Sequence, residues 1–443
     1  MEPPIGTARA PMTSLLARLR SPAGVTLVAY AISQAVVMVG AFVRIPLITG
    51  AVGAVGYGHF VVITSLFPFV TLVAMAIQSA ARVEISERPR RARATMGALR
   101  VLGVRGVGLA LVLAGIVAAL GPRLVSSELA HLTAAALAIV ALALLFTPSS
   151  GAMEAYGHTA LAHLTLATNT IVSIPLLVIG FALTKSVWIA VLSSAVGVVV
   201  PGLLAAIWLR ARSAYRAEPP GRATPRERRT LYRLVGSMTG WSVTSMMIYA
   251  FDPLIVAGVA GAVAAGSYGA AGRLLIMVLI MGEGLNALFT VRFSRLRAAG
   301  DPGATRAALR RFSTLMALGA LLLATIYVLV GPTLTGLLSH GQVPAPISLY
   351  VAMGISGWLT VATLPFAAAL SGPEAAGFRA RVGLVWGAIN LGTSVLLGLA
   401  IGMLGPVVAS IVCNAAMYVT LALAARRKPF LLDGRPRPLP VSS

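Results

Sequence analysis

Charged residues are scarce in this 443-residue chain, and acidic residues are the scarcest of them. Charged residues make up 11% of the sequence, whereas an average soluble domain has about 25%. The single cysteine, Cys413, excludes an internal disulfide and a cysteine-based metal cluster. A glycine-rich phosphate loop ending in Lys-Ser or Lys-Thr is also missing, which excludes direct use of ATP. The chain as a whole is 58% hydrophobic with a mean hydropathy of +0.90, as is typical of an integral membrane protein.

Long apolar runs follow one another along almost the whole chain. A run of about 20 apolar residues is enough to cross a ~30 Å hydrocarbon core as a helix. The segments between the runs are shorter than about 25 residues, which leaves no room for a catalytic or nucleotide-binding domain outside the membrane. The sequence therefore predicts an all-α, polytopic membrane protein. Its twelve predicted helices are 24–43, 59–80, 102–121, 131–149, 164–183, 187–209, 234–258, 266–290, 312–336, 346–370, 382–404 and 405–425.

Basic residues alternate from one connection to the next. Thirty of the 35 Lys and Arg lie in the N-terminus, in every second connection (82–100, 210–233, 291–311 and 371–381) or in the C-terminal tail. This positive-inside pattern predicts that both termini are cytoplasmic. It also accounts for the net charge of +23 without nucleic acid, because the basic loops are short and have few aromatic residues for base stacking. Membrane lipids with anionic headgroups are the expected partners of these loops.

One short pattern occurs twice, six predicted helices apart. Residues 44–60, RIPLITGAVGAVGYGHF, and residues 252–273, DPLIVAGVAGAVAAGSYGAAGR, share a charge, Pro-Leu-Ile, a glycine-rich apolar run and Tyr-Gly. A weaker pair is formed by 157–169 and 377–390. Such internal similarity is the sequence mark of a transporter built from two repeats.

Because six is an even number, both halves start on the same side of the membrane and are parallel repeats. The sequence predicts two parallel six-helix bundles, 1–209 and 234–443, around a central cavity, with a basic cytoplasmic linker at 210–233 and a basic cytoplasmic tail. Two such bundles can rock against each other over the cavity between them.

Two charged residues, Asp252 and Arg273, are predicted at membrane depth, where each costs at least about 2.5 kcal/mol and normally faces a cavity or a partner. Arg44 and Asp252 occupy equivalent positions in the two copies, and Arg273 follows in the predicted eighth helix. Asp252 could pair with Arg273 across their hairpin, or meet Arg44 across the two halves when the outer gate closes. In the alternative interpretation, Asp252 and Arg273 form a purely structural ion pair and Arg44 snorkels to water. Gln34 and Gln78 are candidate polar contacts in the cavity, or hydrogen bonds between helices.

Metal and cofactor chemistry finds no support in the sequence. Paired carboxylates are missing from the predicted membrane helices, which argues against a metal-dependent transferase acting on lipid phosphates. Glu154, His158 and His163 are close in sequence, but position 163 lies about 180° round a helix from position 154. We therefore predict no metal site, no cofactor and no enzymatic activity.

The repeat and the twelve predicted helices are similar to those of the Wzx-type oligosaccharide-lipid flippases of the multidrug/oligosaccharidyl-lipid/polysaccharide (MOP) exporter superfamily. The resemblance spans nearly the whole chain and rests on Arg44-x-Pro-Leu-Ile-Thr, on the second copy as far as Arg273, and on GAINLGTSVLLGLAIGMLGPVVAS at 387–410. It implies a flippase of the bacterial plasma (inner) membrane. Such a flippase would move a polyprenyl-diphosphate-linked oligosaccharide from the cytoplasmic to the outer leaflet by alternating access, for surface polysaccharide assembly. Arg44 and Arg273 would hold the pyrophosphate, and Asp252 would pair with or release one of them in the opposite state. A polysaccharide polymerase or glycosyltransferases are implied partners.

Two other branches of the superfamily fit less well. The peptidoglycan-precursor flippases share Arg44 and the pair Arg273-Leu274. Their second helix has a further arginine where this chain has Thr64 and Ser65, and they have two more C-terminal helices than are predicted here. The multidrug branch has acidic residues in its cavity, whereas the first two predicted helices contain none. A multidrug or metabolite exporter coupled to an ion gradient is the alternative prediction, and a membrane scaffold without transport is a third.

Overall fold

The computed structural model describes residues 22–121, 126–217, 223–298, 301–370 and 373–427. All regular secondary structure in these ranges is helical, which confirms the predicted all-α fold. The termini and part of the predicted linker lie outside the described residues. The helices are α1 (Pro22–Thr64), α2 (Phe67–Glu87), α3 (Ala92–Leu120), α4 (Ser127–Ala141), α5 (Ala143–Phe146), α6 (Pro148–Ala155), α7 (Thr159–Leu183), α8 (Val187–Ala211), α9 (Ser213–Ala217), α10 (Pro225–Tyr249), α11 (Asp252–Ala298), α12 (Pro302–Leu338), α13 (Ile347–Ala369), α14 (Pro373–Ile401) and α15 (Gly405–Arg427).

Nine helical stretches among the described residues are long and apolar enough to cross a membrane. Two of them, Gly24–Ser86 with 63 residues and Gly377–Arg426 with 50 residues, are each long enough to cross twice, since about 20 helical residues span the hydrocarbon core. The helix α10 lies at the position of the predicted seventh span. The prediction of a multi-pass membrane protein is confirmed, and the described helices correspond to about nine to twelve spans.

Both copies of the repeated pattern bend at a single glycine. Gly53 in α1 has φ 69° and ψ −177°, and Gly261 in α11 has φ 85° and ψ 175°. This combination is essentially confined to glycine, because a Cβ atom would clash with the backbone. The flanking residues are helical, so the loops expected at 44–58 and 259–265 are replaced by one-residue corners. The sequence repeat is therefore also a repeat in backbone conformation.

The predicted seventh helix, 234–258, is broken near its C-terminal end. α10 ends at Tyr249 and α11 begins at Asp252, instead of one helix running through both residues. Pro253 explains the break, because it has no N–H to donate to the preceding turn and disfavours helical geometry in the residue before it. Near the break, the Oγ of Ser410 on α15 donates a hydrogen bond to the backbone carbonyl oxygen of Ile248 at 3.4 Å.

The two halves are in most extensive contact where α1 packs against α11. Gly58 of α1 lies so close to α11 that a Cβ atom at this position would be 1.9 Å from the carbonyl oxygen of Ala262. Arg91, just before α3, forms an ion pair with Glu227 at the start of α10.

The buried apolar side chains group into two main clusters, one largely of the N-terminal half and one of the C-terminal half. The domain boundaries at 209 and 234 stay a prediction.

Candidate functional site

A cavity of about 450 Å³ lies between the two halves. The N-terminal half borders it with α1, and the C-terminal half with α11, α13 and α15. Arg44, Asp252 and Arg273, which the sequence predicts to act together, all line this one cavity. The full polar lining is Arg44, Thr64, Ser65, Asp252, Tyr268, Arg273, Ser356 and Ser410.

Arg44 is held within the N-terminal half. It lies on α1 nine residues before the Gly53 corner, which is about 14 Å along the helix. Its Nη2 donates a hydrogen bond to Ser173 Oγ on α7. Because a serine hydroxyl carries no charge, this contact positions the guanidinium group and leaves its positive charge uncompensated.

Arg273 reaches from the C-terminal half towards the N-terminal half. Its guanidinium carbon lies 4.8 Å from the ring centroid of Phe60, which is a cation–π contact between α11 and α1. The hydroxyl of buried Tyr57 lies beside the same guanidinium group without a hydrogen bond of standard geometry. Arg273 is thus also positioned by uncharged groups.

Asp252 is almost completely buried in the first turn of α11, with 3% of its surface exposed. Its Oδ2 accepts a hydrogen bond from Tyr268 Oη at 2.7 Å and a longer one from Ser410 Oγ at 3.5 Å. Its Oδ1 is buried and has no hydrogen-bond partner among the described residues. An unsatisfied carboxylate oxygen in apolar surroundings is unfavourable, so Asp252 retains the capacity to accept a further donor.

The charges in the cavity are not paired with one another. Within the described part of the chain, neither Arg44 nor Arg273 forms an ion pair with a carboxylate. The predicted pair of Asp252 with Arg273 does not form here, and Arg44 does not pair with Asp252 either. Tyr268 and Ser410 bond to Oδ2 of the carboxylate instead. The two guanidinium groups repel each other electrostatically. The site therefore has two uncompensated cationic groups and one shielded carboxylate.

The two glutamines predicted as cavity contacts lie elsewhere in this conformation. Gln78 Nε2 on α2 donates to Glu154 Oε1 at 2.9 Å, and Glu154 is also paired with Arg82 at 2.5 Å. Gln34 is partly buried on α1 but does not line the cavity. The alternative interpretation, a hydrogen bond between helices, describes Gln78. A substrate-binding role for either glutamine stays a prediction.

Four uncharged side chains of the site were not predicted to take part in it: Phe60, Ser173, Tyr268 and Ser410. Serine and aromatic residues are common in membrane helices, so a single one within an apolar run carries no signal of a site. Tyr268 was visible as part of the repeated Tyr-Gly pair. The repeat alone, however, does not indicate its hydrogen bond to Asp252.

No group of three or more His, Cys, Asp or Glu residues that could hold a metal ion occurs among the described residues. His158, which is close in sequence to Glu154 and His163, packs edge to face against the Trp208 ring with 4.8 Å between centroids, and Arg212 donates to its ring. These contacts assign His158 to the turn between α6 and α7 rather than to the cavity.

Several solved structures are similar to this chain in fold, at low sequence identity. An inward-facing multidrug resistance MATE family transporter of the MOP superfamily is 14% identical with a TM-score of 0.68, over 93% of this chain and 96% of that one. An outward-facing counterpart is 17% identical with a TM-score of 0.62, over 94% and 98%. A MOP superfamily transporter from Pyrococcus furiosus Vc1, described as having a binding pocket of reverse polarity that suggests a different function, is 14% identical with a TM-score of 0.67, over 92% and 96%.

These similarities establish the fold of the MOP superfamily for this chain. At identities of 14–17% they show the fold alone, so the superfamily, the non-enzymatic class and the choice between a Wzx-type flippase and a multidrug exporter stay predictions. No protein-family model and no curated protein matches the sequence.

Proposed function

We propose that this protein is a membrane transporter for an anionic lipid-linked substrate, namely a polyprenyl-diphosphate-linked oligosaccharide moved from the cytoplasmic to the outer leaflet. The observation that carries the proposal is that Arg44 and Arg273 face one cavity, with no described carboxylate in ion-pair contact with either. Charged groups at membrane depth are costly and normally face a partner. A pyrophosphate provides that partner through charge-assisted hydrogen bonds, which a guanidinium group can form two at a time.

The two arginines come from different halves, which suits alternating access. Arg44 belongs to α1 and Arg273 to α11, so a pyrophosphate bound by both is held only while the two halves are close together. When the halves rock apart on one side of the membrane, the two contacts separate and the substrate is released. Asp252 takes part by pairing with one of the arginines in the released state.

The size of the cavity limits what it holds in this conformation. A volume of about 450 Å³ falls within the usual range of about 300–1,000 Å³ for small-ligand pockets, and suits a pyrophosphate with its first sugars. A longer glycan requires a wider conformation. The polyprenyl tail stays in the bilayer at the opening between the halves, because moving it into a wet cavity would expose apolar surface to water.

Flipping of a fluorescent short-chain polyprenyl-diphosphate oligosaccharide by the protein in liposomes tests this proposal. We expect Arg44→Gln and Arg273→Gln each to lower the initial rate about tenfold or more, since a hydrogen bond to a charged group contributes about 1.5–3 kcal/mol. Arg105→Gln is the matched control, because Arg105 is an exposed arginine on α3 outside the cavity, and it should flip at the wild-type rate. A wild-type rate for the Arg44 and Arg273 double variant would reject the proposal.

A multidrug or metabolite exporter is the second candidate, because some structures of the same fold are multidrug resistance transporters. In that case the buried carboxylate of Asp252, with its unsatisfied Oδ1, would be the group that binds a cation. Asp252→Asn separates the two candidates. We expect the variant to keep glycolipid binding, because both arginines remain. Loss of tetraphenylphosphonium binding in the variant, from a wild-type protein that binds it, would favour the exporter.

Cell location and partners follow from the same proposal. We propose a bacterial plasma-membrane protein with both termini in the cytoplasm. The distribution of basic residues supports this orientation, and a reporter fused to the C-terminus would test it. A polysaccharide polymerase and glycosyltransferases are the proposed protein partners. Co-purification of the full chain from membranes would test for them.

A further inference from the structure

One face of α12 combines exposed arginines with exposed leucines. Near the start of this helix a surface cavity of about 760 Å³ is lined by three arginines and three residues that follow them. Within the described part of the chain, none of the three arginines is in an ion pair. The lining consists of Arg306, Arg310, Arg311, Thr314, Leu315 and Leu318, with Ala307 between them.

An apolar groove continues from this cavity along the same helix. The groove has a volume of about 210 Å³ and lies between α12, from Leu321 to Leu329, and α13, from Val351 to Trp358. Trp358 Nε1 donates to the carbonyl oxygen of Ala317 at 3.0 Å, which joins the two helices next to the groove. The groove is therefore a built feature of two packed helices and not a gap between separate parts.

The cavity and the groove lie on one helical face. The lining positions 306, 310, 314, 318, 321, 325 and 328 follow one another at intervals of three or four residues. With 37 residues, α12 is about 55 Å long and exceeds a hydrocarbon core of ~30 Å. Its arginine-bearing end consequently lies at headgroup level, while the leucines and the groove lie among the acyl chains.

We propose that this face of α12 binds a phospholipid with an anionic headgroup. The headgroup phosphate contacts Arg306, Arg310 and Arg311, and one acyl chain follows Leu318 into the groove against α13. Charge complementarity selects an anionic headgroup, since three guanidinium groups that form no ion pair with a described residue lie together at the level of the phosphates. The groove selects a lipid over a free phosphate, since Leu318 is 63% exposed and Leu329 is 72% exposed.

This lipid site is separate from the central cavity. All of its lining residues belong to α12 and α13, and none of them lines the cavity that contains Arg44 and Arg273. The two sites can therefore be tested independently, and failure of one leaves the other standing.

Photo-crosslinking of the full-length protein in nanodiscs tests the lipid site. The probe is phosphatidylglycerol with a diazirine in one acyl chain, compared with the same probe built on phosphatidylcholine, and labelled peptides are located by mass spectrometry. We expect the anionic probe to label 318–329 and 351–358 at least about fivefold more than the zwitterionic probe, because each basic residue adds to the attraction of an anionic headgroup. Equal labelling by both probes would overturn the proposal.

Two pairs of variants distinguish the contribution of the arginines to headgroup binding from the contribution of the groove to acyl-chain binding. The triple change Arg306→Gln, Arg310→Gln and Arg311→Gln should abolish the preference for the anionic probe, whereas the same change at the exposed Arg226, Arg228 and Arg229 of α10 should not. Thr325→Trp fills the groove and should remove its labelling, whereas Ile326→Trp, on the adjacent face, should retain it.

Three further results would contradict an anionic phospholipid as the occupant. These are a preference for the anionic probe that persists in the arginine triple variant, displacement of the probe by equimolar polyprenyl diphosphate, and a dimer in native mass spectrometry whose interface protects the groove.

Discussion

Arg44 and Arg273 carry the functional argument at the scale of single residues. Arg44 donates to Ser173 and Arg273 packs over Phe60, so each guanidinium group is positioned without losing its charge. If a carboxylate had been paired with either arginine, a bound anion would first have to replace it. The observed arrangement is prepared for an anion before the ligand arrives, which reduces the reorganisation needed on binding.

His158 gives a prediction on pH dependence outside the membrane helices. Burial, with a further contribution from the charge of Arg212, lowers the pKa of His158 below the ordinary value of a histidine. Below about pH 6.5 the unfolded chain therefore binds a proton that the folded protein does not bind, and the free energy of unfolding decreases as the pH falls. We expect His158→Gln to show a smaller decrease in thermal unfolding midpoint between pH 7.5 and pH 5.5 than the wild type.

His131→Gln is the control for this measurement, because the side chain of His131 is exposed on α4. It should lose as much stability over this pH range as the wild type. The assignment to His158 fails if its own variant keeps the full pH dependence.

The sequence predicted the charged residues of the site and missed their neutral partners for a physical reason. A charge within an apolar run is costly, so Arg44, Asp252 and Arg273 are conspicuous in the sequence. A serine such as Ser173 or Ser410 costs little in a membrane helix, because it can bond to its own backbone. The partners of a charge are set by helix packing, and one sequence does not give that packing.

The glycine corners are the distinctive elements of the fold. Gly53 and Gly261 each allow a bend within one residue, and Arg44 and Asp252 both lie nine residues before their corner. The repeat thus places a cation from one half and an acid from the other at equivalent positions, and both line the same cavity.

Replacing a corner glycine should weaken the fold. Gly53→Ala places a Cβ atom on a residue with φ 69°, and we expect it to lower the free energy of unfolding by about 1–3 kcal/mol. Gly50→Ala is the matched control, because Gly50 lies one turn earlier in α1 with nothing within 4 Å of the added Cβ. Thermal unfolding of both variants in detergent measures the difference. Equal stability of the two variants would show that the corner conformation is not required.

Hydrophobicity located the helices well but not their breaks. The predicted start of the twelfth helix at 405 coincides with the start of α15 at Gly405. The loop expected before the eighth helix is instead a corner at Gly261, because an apolar glycine-rich run is compatible with either structure. The break before Asp252 was also missed, although Pro253 was its signal, since membrane helices tolerate proline.

At the scale of the whole molecule, alternating access requires the two halves to move against each other. Arg91 and Glu227 are paired between the N-terminal half and α10, so a link between these positions should restrain that motion. We expect Arg91→Cys with Glu227→Cys, in a Cys413→Ala background, to lose flipping after treatment with a short bis-methanethiosulfonate crosslinker and to recover it after reduction. Each single-cysteine variant should be unaffected by the same treatment. Undiminished flipping by the fully crosslinked protein would contradict alternating access at this interface.

The most direct test of the central claim is binding of a short polyprenyl-diphosphate oligosaccharide to the purified protein. Wild type, Arg44→Ala and Arg273→Ala should be compared by calorimetry, with tetraphenylphosphonium as a competing cation. The account predicts binding that each substitution weakens about tenfold or more and that the cation leaves unchanged. Tight binding of the cation, with no affinity for the glycolipid, would contradict it and leave the two arginines as structural residues of an exporter.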